Sequence, residues 1–502
     1  MPEKTMGKRL SDELLAGLND FISSLMGLHF TESRLDDLER GIGLAAKDFG
    51  FESDTEFIDW LRSAPLKKDH IERLAFHLTV GETYFFRDSS SIAALEQKIL
   101  PELIESRQVS KRIRVWSAGC STGEEAYSIA ILLSRLIPGI ESWNVSILAT
   151  DINARALKKA SEGVYTSWSF RDTPEWLRDR YFRRVAEGAY RIDPAIQKMV
   201  SFGYLNLAED IYPSLLNNTN GVDIIFCRNV IMYFSEGVAR SVVKGLRNSL
   251  VDDGWLLVSP AEAVRAVTGL FTPVSIGEAI FYRKSGGVQE PLRIFPETSV
   301  VQPLTGPLPQ VEKPAAPHLP EPEEEAQAHA APDASRRDFL AEAEVFFSQG
   351  LYGEAASLLE SISDEDRGED GQLLLSRAYA NMGRLEEASS WCERAQAKDA
   401  LNRGAYILLA TIRQEQARGE EAIKNLKKAL YLDQDSVIAH FMLGKLLFSS
   451  GGAHEQALRH IRTAHKLLEL LGDDDLLPES DGMMAGRLKE IIASMLKGPT
   501  DG

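Results

Sequence analysis

The sequence predicts a chain of three parts: an all-helical start, a doubly wound α/β middle, and an all-helical repeat array at the end. Three observations carry this. Apolar residues recur at helical spacing through the first 80 residues, β-branched runs alternate with helical stretches from Arg114 to Lys284, and alanines beyond residue 335 return at separations of 33, 34 and 35. At 502 residues the chain has room for two or three domains.

The opening segment reads as four helices: LSDELLAGLNDFISSLMG, SRLDDLERGIGLAAKDFG, DTEFIDWLRS and DHIERLAFHLTV. Residues 1–80 hold fifteen acids against ten bases, so any docking of this part to an acidic partner must be local, through Lys47, Arg62, Lys67, Lys68 and Arg73. His70 and His77 share a helical face but have no further metal-ligand pattern around them, and read as ordinary helix residues.

The middle segment carries the chemistry. Between Arg114 and Ser128 the chain reads RVWSAGCSTGEEAYS, an apolar run entering a loop with Gly119 and Gly123, then two acids opening a helix. Glycines let a ligand approach the backbone, and a helix start offers unpaired N–H groups. There is no phosphate-loop lysine, and Glu124 and Glu125 would repel a pyrophosphate, so a ligand there would be uncharged or cationic at that end, an ordinary tight turn being the bland alternative. S-adenosylmethionine, with its sulfonium and ammonium groups, fits. VSILATD then predicts a strand ending on Asp151, where an acid in a doubly wound sheet accepts hydrogen bonds from ribose hydroxyls; capping of the next helix at Asn153 is the simpler role for such an acid. VDIIFCRN is a strand buried on both faces, Ser235 to Leu250 a crossover helix, and GWLLVS (254–259) and AIFYRK (279–284) further strands.

Five motifs in order, TVGETYFFRD (79–88), SAGCSTGEEAYS (117–128), ATDIN (149–153), LNL (205–207) and CRNVIMYF (227–234), resemble the CheR-type protein-glutamate O-methyltransferases that act on chemotaxis receptors. The resemblance covers roughly the first 280 residues. It implies an α/β class I S-adenosylmethionine-dependent methyltransferase fold with an all-α amino-terminal domain and a small β-subdomain inserted at about 164–200, where YRI and scattered aromatics break the α/β rhythm. Carried over, it implies cofactor contacts from Thr83, Arg87, an acid of the Gly loop (Glu124 or Glu125), Asp151, Asn206, Leu207, Arg228 and Asn229. Gly81 stands where the family often has asparagine, so one side-chain contact is lost or passes to the backbone. SPAE (259–262) replaces a glycine, histidine, serine, glutamate run found in many relatives. Arg87 and Tyr233 are the side chains implied near the transferring methyl group. The implied reaction moves a methyl from S-adenosylmethionine to a glutamate carboxylate, leaving S-adenosylhomocysteine, with a chemoreceptor-like signalling protein as substrate.

After Tyr282 the composition changes. Residues 285–334 include EKPAAPHLPEPEEEAQAHAAP and read as a proline- and acid-rich linker that cannot bury a core. Beyond it, Ala355, Ala388, Ala422 and Ala457 each open a second helix, and Ala395, Ala429 and Ala464 repeat at 34 and 35. This resembles the tetratricopeptide repeat, in which alanines let paired helices approach closely. The first-helix tryptophan is missing, Ser376 and Ala410 stand at glycine positions, and only Gly444 is retained. DGMMAGRLKEIIASMLKG would cap the array. Such a C-terminal all-α solenoid is an interaction surface, which implies a protein partner of unknown identity.

A net charge of −18, from 56 bases and 74 acids, argues against nucleic acid. Cys120, Cys227 and Cys392 lack metal spacing and suit a reducing compartment. No leader and no long apolar run is evident, so the expectation is a cytoplasmic protein without membrane insertion. The domain expectation is 1–80 helical, 81–284 methyltransferase, 285–334 linker and 335–502 repeats. A noncatalytic scaffold that keeps the fold and works through its repeats is the alternative from another class.

Overall fold

Among the described residues, seven strands form one sheet in the order β6-β2-β1-β7-β8-β10-β9, built from β1 (Arg112–Ala118), β2 (Asn144–Asp151), β6 (Val200–Tyr204), β7 (Val222–Phe226), β8 (Leu250–Leu257), β9 (Thr272–Ile276) and β10 (Ala279–Arg283). This computed structural model describes residues 10–79, 81–208, 212–259, 262, 267, 269–284, 332–449, 454–480 and 482–496. The first five strands in the order run parallel, and β10 is antiparallel to both β8 and β9. The order reverses at β1, so the carboxyl ends of β1 and β7 flank the crevice where ligands bind in such sheets.

Alternation along the strands divides the core into two layers. Ile113, Val115, Ile147, Ile224 and Phe226 join one cluster with α7 (Glu124–Leu136) and the stretch Ser89–Ser106. Trp116, Ala118, Ile225 and Leu256 join the other, with α11 (Glu236–Ser249). The stretch Ser89–Ser106 is a helix missed in the sequence reading: α5 (Ser89–Ala94), a π-helical turn at Leu95–Ile99 and α6 (Leu100–Ser106). Asp88 caps it, accepting from Ser91 N at 3.3 Å.

The amino-terminal part folds as α1 (Asp12–Met26), α2 (Leu35–Phe49), α3 (Asp54–Ser63) and α4 (Lys68–Leu78). Ser11 caps α1, and Gly27 and Gly50 end α1 and α2 in the left-handed conformation that glycine adopts without strain. Leu15, Leu18, Ile42, Phe57 and Leu74 fill its core. His70 packs on Trp60, and His77 Nε2 lies 3.3 Å from Asp48, within the helical scaffold. Helix α8 (Ala154–Glu162) follows β2, capped by Asn153, whose side chain accepts from Ala156 N. A separate antiparallel sheet of β3 (Val164–Thr166), β5 (Ala189–Ile192) and β4 (Phe182–Ala186) follows, with α9 (Glu175–Tyr181) and α10 (Pro194–Gln197) beside it.

The carboxyl-terminal array begins at Pro332, three residues inside the stretch read as linker; 285–331 lie outside the described residues. It pairs α12 (Pro332–Ser348) with α13 (Tyr352–Ser361), α14 (Asp364–Asn381) with α15 (Leu385–Lys398), α16 (Arg403–Glu415) with α17 (Gly419–Leu432), and α18 (Val437–Ser449) with α19 (His454–Leu468). Ala355, Ala388, Ala422 and Ala457 are fully buried, as close helix packing requires. Helix α20 (Ala485–Leu496) closes the array, with Leu488 and Ile492 in its core. No helix among the described residues is long and apolar enough to cross a membrane.

Candidate active site

The Gly loop after β1 is shaped by backbone geometry. Gly119 has φ +88° and a Cβ there would lie 2.3 Å from Val230 Cγ2, so this turn accepts only glycine. Gly123, φ +91°, sits directly before α7 against Ala160. The two loop acids, which the sequence reading could not separate, have different surroundings. Glu124 is buried and turned toward the β-subdomain, where Oε1 accepts from Ser169 Oγ at 3.0 Å and Oε2 from Thr122 Oγ1 at 2.6 Å. Glu125 lines the cleft, with Oε1 accepting from Ser117 Oγ at 2.7 Å and Oε2 3.6 Å from Arg228 Nη1.

Asp151 ends β2 with both oxygens facing backbone donors: Ser121 N at 2.8 Å and Asn153 N at 2.8 Å. Burial pushes its carboxyl above the ordinary aspartate value, and these hydrogen bonds oppose the shift. The same bonds orient the carboxylate and tie the Gly loop to the second strand.

A second wall comes from the segment before α5. Thr83, Tyr84, Phe86 and Arg87 line the cleft. Arg87 Nη1 donates to Glu82 O at 3.0 Å. Arg228, after β7, donates to Arg87 O and to Asp88 Oδ2, each at 3.1 Å, and so joins this wall to the sheet. Burial opposes ionisation of Asp88, but hydrogen bonds from Ser90 and Ser91 and the Arg228 charge outweigh it and hold the carboxyl below its usual value. Asn229 lines the cleft with φ +59°, its N–H donating to Glu262 Oε2 at 2.8 Å, while Val230 N donates to Oε1 at 2.6 Å. Ser259 N donates to the same carboxylate at 2.9 Å. Glu262 was not singled out from sequence, yet it lies in the divergent SPAE run; a buried acid beside a strand end was the available signal.

Of the residues expected to bind cofactor, the structure brings Thr83, Arg87, Glu125, Arg228 and Asn229 together on the cleft. Gly81 is exposed beside the Gly loop, its carbonyl accepting from Ser121 Oγ at 3.2 Å. Asn206 and Leu207 follow β6, next to the end of β2, and are buried; Asn206 Oδ1 accepts from Ala208 N and Leu207 O from Tyr212 Oη at 2.7 Å. Tyr233 is not on the cleft lining. Its ring lies 4.5 Å from the Arg34 guanidinium and its carbonyl accepts from His29 N, at the seam with the amino-terminal helices. Backbone pairing of Leu28 with Phe234 pulls the YF end of its motif to that seam. Burial pushes the Cys120 and Cys227 thiols well above their ordinary range, which leaves them unreactive.

These residues fit S-adenosylmethionine. Glu125 offers a carboxylate for its ammonium group, Asp151, outside the cleft lining, is held in place for ribose hydroxyls, and among the described residues the lining holds no lysine, its Arg87 guanidinium being left for a carboxylate. The parallel sheet with its antiparallel β10, the Gly loop and this donor set define an S-adenosylmethionine-dependent methyltransferase. Comparison with known proteins agrees: the family described as "CheR methyltransferase, SAM binding domain" matches residues 81–280, and tetratricopeptide repeat families match 346–412 and 404–436. A chemotaxis protein methyltransferase of Borreliella burgdorferi is 32% identical over 259 residues, covering 51% of this chain and 90% of that one. The chain belongs to the CheR methyltransferase family. A probable biofilm formation methyltransferase, WspC, of Pseudomonas aeruginosa is 27% identical over 451 residues, covering 89% of this chain and 98% of that one, so the likeness extends through the repeats. A second WspC, from Pseudomonas putida, is 28% identical over 396 residues, covering 78% of this chain and 84% of that one.

Proposed function

We propose that this chain esterifies glutamate side chains on chemoreceptor-like, methyl-accepting signalling proteins. The observation that carries the reading is that Arg87 lines the same cleft as Glu125, Arg228 and Asn229, which offers an acceptor carboxylate a guanidinium partner. The full-length likeness to proteins named for biofilm formation favours a receptor of that kind over one of chemotaxis.

The bound cofactor supplies an electrophilic methyl group on a sulfonium. The acceptor needs no general base, because a glutamate carboxylate with a pKa of about 4.3 is ionised at neutral pH. The work of the protein is to orient and to exclude water. In this reading Glu125 and Asp151 hold the two ends of the cofactor, Arg228 fixes the wall that bears Arg87, and Arg87 holds one oxygen of the acceptor so that the other faces the methyl group. Tyr233, outside the cleft lining, acts on the reaction only through the seam with the amino-terminal helices. The repeats serve as a protein-interaction or regulatory module.

The test is methyl transfer from labelled S-adenosylmethionine to receptor cytoplasmic fragments. Label released by mild base and lost in Arg87→Ala supports the ester. Base-stable label would overturn the carboxylate acceptor, and no transfer by a chain that binds cofactor would favour the scaffold.

A further inference from the structure

The concave side of a tetratricopeptide array is lined by the first helix of each pair, which in an open groove is exposed on that side. Here it is covered. Helix α16 is buried along every residue from Ala405 to Arg413, whereas its partner α17 buries only a stripe of Ala422, Leu426 and Ala429. The cover is the methyltransferase domain. Its segment 212–220, the connection leading into β7, places Leu215 among Leu374, Leu408, Leu409 and Ile412 of the array, and Leu216 against the cluster of Tyr406 and Phe441.

A charged clasp closes the same seam. Glu415, at the end of α16, lies 3.0 Å from Arg112 Nη2 and 2.9 Å from Arg114 Nη1, all three side chains being largely buried. Arg114 Nη2 donates to Asn218 O at 2.7 Å, so one arginine holds both the inserted segment and the groove residue. Asn144 Nδ2 donates to Glu415 O, and Arg487 of α20 donates to Tyr204 O at the end of β6. The seam is also polar and imperfectly satisfied: both amide atoms of Asn220, Oε1 of Glu415 and Oδ1 of Asn381 are buried without a hydrogen-bond partner. Such a surface suits a contact that can open, since unpaired buried polar groups regain partners in water.

The inserted segment is tied to the cofactor side. Tyr212 stacks edge-on against Trp116, and its hydroxyl donates to Leu207 O. We propose that the groove of the repeat array holds segment 212–220 as an internal ligand, and that an outside partner enters the groove only by displacing it, which loosens Leu207 and weakens cofactor binding. The partner that competes is a peptide with adjacent leucines and a nearby arginine for Glu415. By reciprocity, bound cofactor opposes partner binding to the same degree. The cofactor half of this proposal rests on Leu207 lying beside the bound cofactor.

The experiment uses the full chain with a protease site inserted in 285–331. After cleavage the two parts should elute together at about micromolar concentration, and should separate in Leu215→Asp/Leu216→Asp and in Glu415→Ala, the second altering the array and leaving the inserted segment's own sequence intact. Wild-type parts that separate, or variant parts that stay together, overturn the docking. Calorimetry with S-adenosylhomocysteine on the uncleaved chains reads the coupling: affinity should fall about fivefold or more in both variants, about 1 kcal/mol, and unchanged affinity overturns it. If the wild type binds no S-adenosylhomocysteine, the methyltransferase reading fails while the elution result still decides the docking.

Discussion

Replacing Asp151 by asparagine separates two roles that one carboxylate performs. It accepts from Ser121 N and Asn153 N, both at 2.8 Å, and in the proposed complex it accepts from ribose hydroxyls as well. An asparagine keeps one oxygen and turns an NH2 toward one of the two backbone donors. A hydrogen bond to a charged acceptor contributes about 1.5–3 kcal/mol. Losing one such bond to the ligand, with the loop donor left facing a donor, costs about 2–3 kcal/mol of cofactor affinity, or about 30- to 150-fold. The assay is calorimetric titration of S-adenosylhomocysteine into wild type and variant. The pH dependence gives a second reading. Burial raises the folded-state pKa of Asp151 above its ordinary value of 3.8, so binding that needs the carboxylate ionised is full well above that raised value and falls as pH drops through it. The asparagine variant should lack that acid limb. Affinity within about threefold of wild type, a difference below about 0.7 kcal/mol, together with an unchanged acid limb, would refute the ribose role and leave Asp151 as a loop anchor alone.

Glu262→Gln places an NH2 where Asn229 N, Val230 N and Ser259 N now converge on a carboxylate, leaving at least one buried donor unpaired at about 1–3 kcal/mol; thermal melting of the methyltransferase part should begin earlier, and an unchanged melt would show that the turn is held by other contacts. Gly119→Ala should yield little folded protein on a solubility and circular dichroism check, because φ +88° and a 2.3 Å approach to Val230 act together, and a well-folded variant would contradict the turn geometry. The His440–His460 pair, Nδ1 to Nδ1 at 2.9 Å, has both pKa values lowered, first by burial; Asp433 and Asp435 oppose this at His440, while Arg459 and Lys427 add to it at His460. The unfolded chain then takes up protons first, so α18 and α19 should lose protection from hydrogen exchange as pH falls below the unfolded value of 6.5, and equal protection at about pH 7.5 and 5.5 would exclude the effect.

The fold class was legible because its signals are local. VSILATD, VDIIFCRN and the Gly loop each specify an element within a few residues, and the alanine period specifies stacked helix pairs. β9 escaped because it is five residues long and carries Pro273, while the helix over Ser89–Ser106 was missed despite its Asp88 cap and apolar spacing, with a π-turn at Leu95–Ile99 and Pro101 breaking its period. At the site, residue types and strand ends were legible, while side-chain direction was not. Glu124 and Glu125 are adjacent in sequence, and what parts them is Ser169, 45 residues away, which takes Glu124 out of the cleft. Tyr233 reads as a cleft residue by its motif, but His29 and Arg34, in the connection between α1 and α2, hold it elsewhere.

The same distance principle explains why the relation of the repeats to the sheet was unreadable. Arg112 and Arg114 alternate with Ile113 and Val115 along β1, a pattern that by itself suits a strand with one face in water. β1 is instead interior, paired with β2 and β7, so the two guanidiniums stand on a sheet face that something must cover. In a doubly wound sheet the connection between parallel strands is normally a helix that packs on one face. The described part of the connection from β6 to β7 is irregular instead, and the array covers the strand starts there, supplying Glu415 from 303 residues further on. Two adjacent buried cations disfavour each other, and burial lowers the pKa of Arg112. A carboxylate between them is therefore a requirement of that face whenever the repeats are docked. An outside partner that takes the groove must leave Arg112 and Arg114 free to reach water, and this is the physical reason that docking of the array and occupancy of its groove exclude one another.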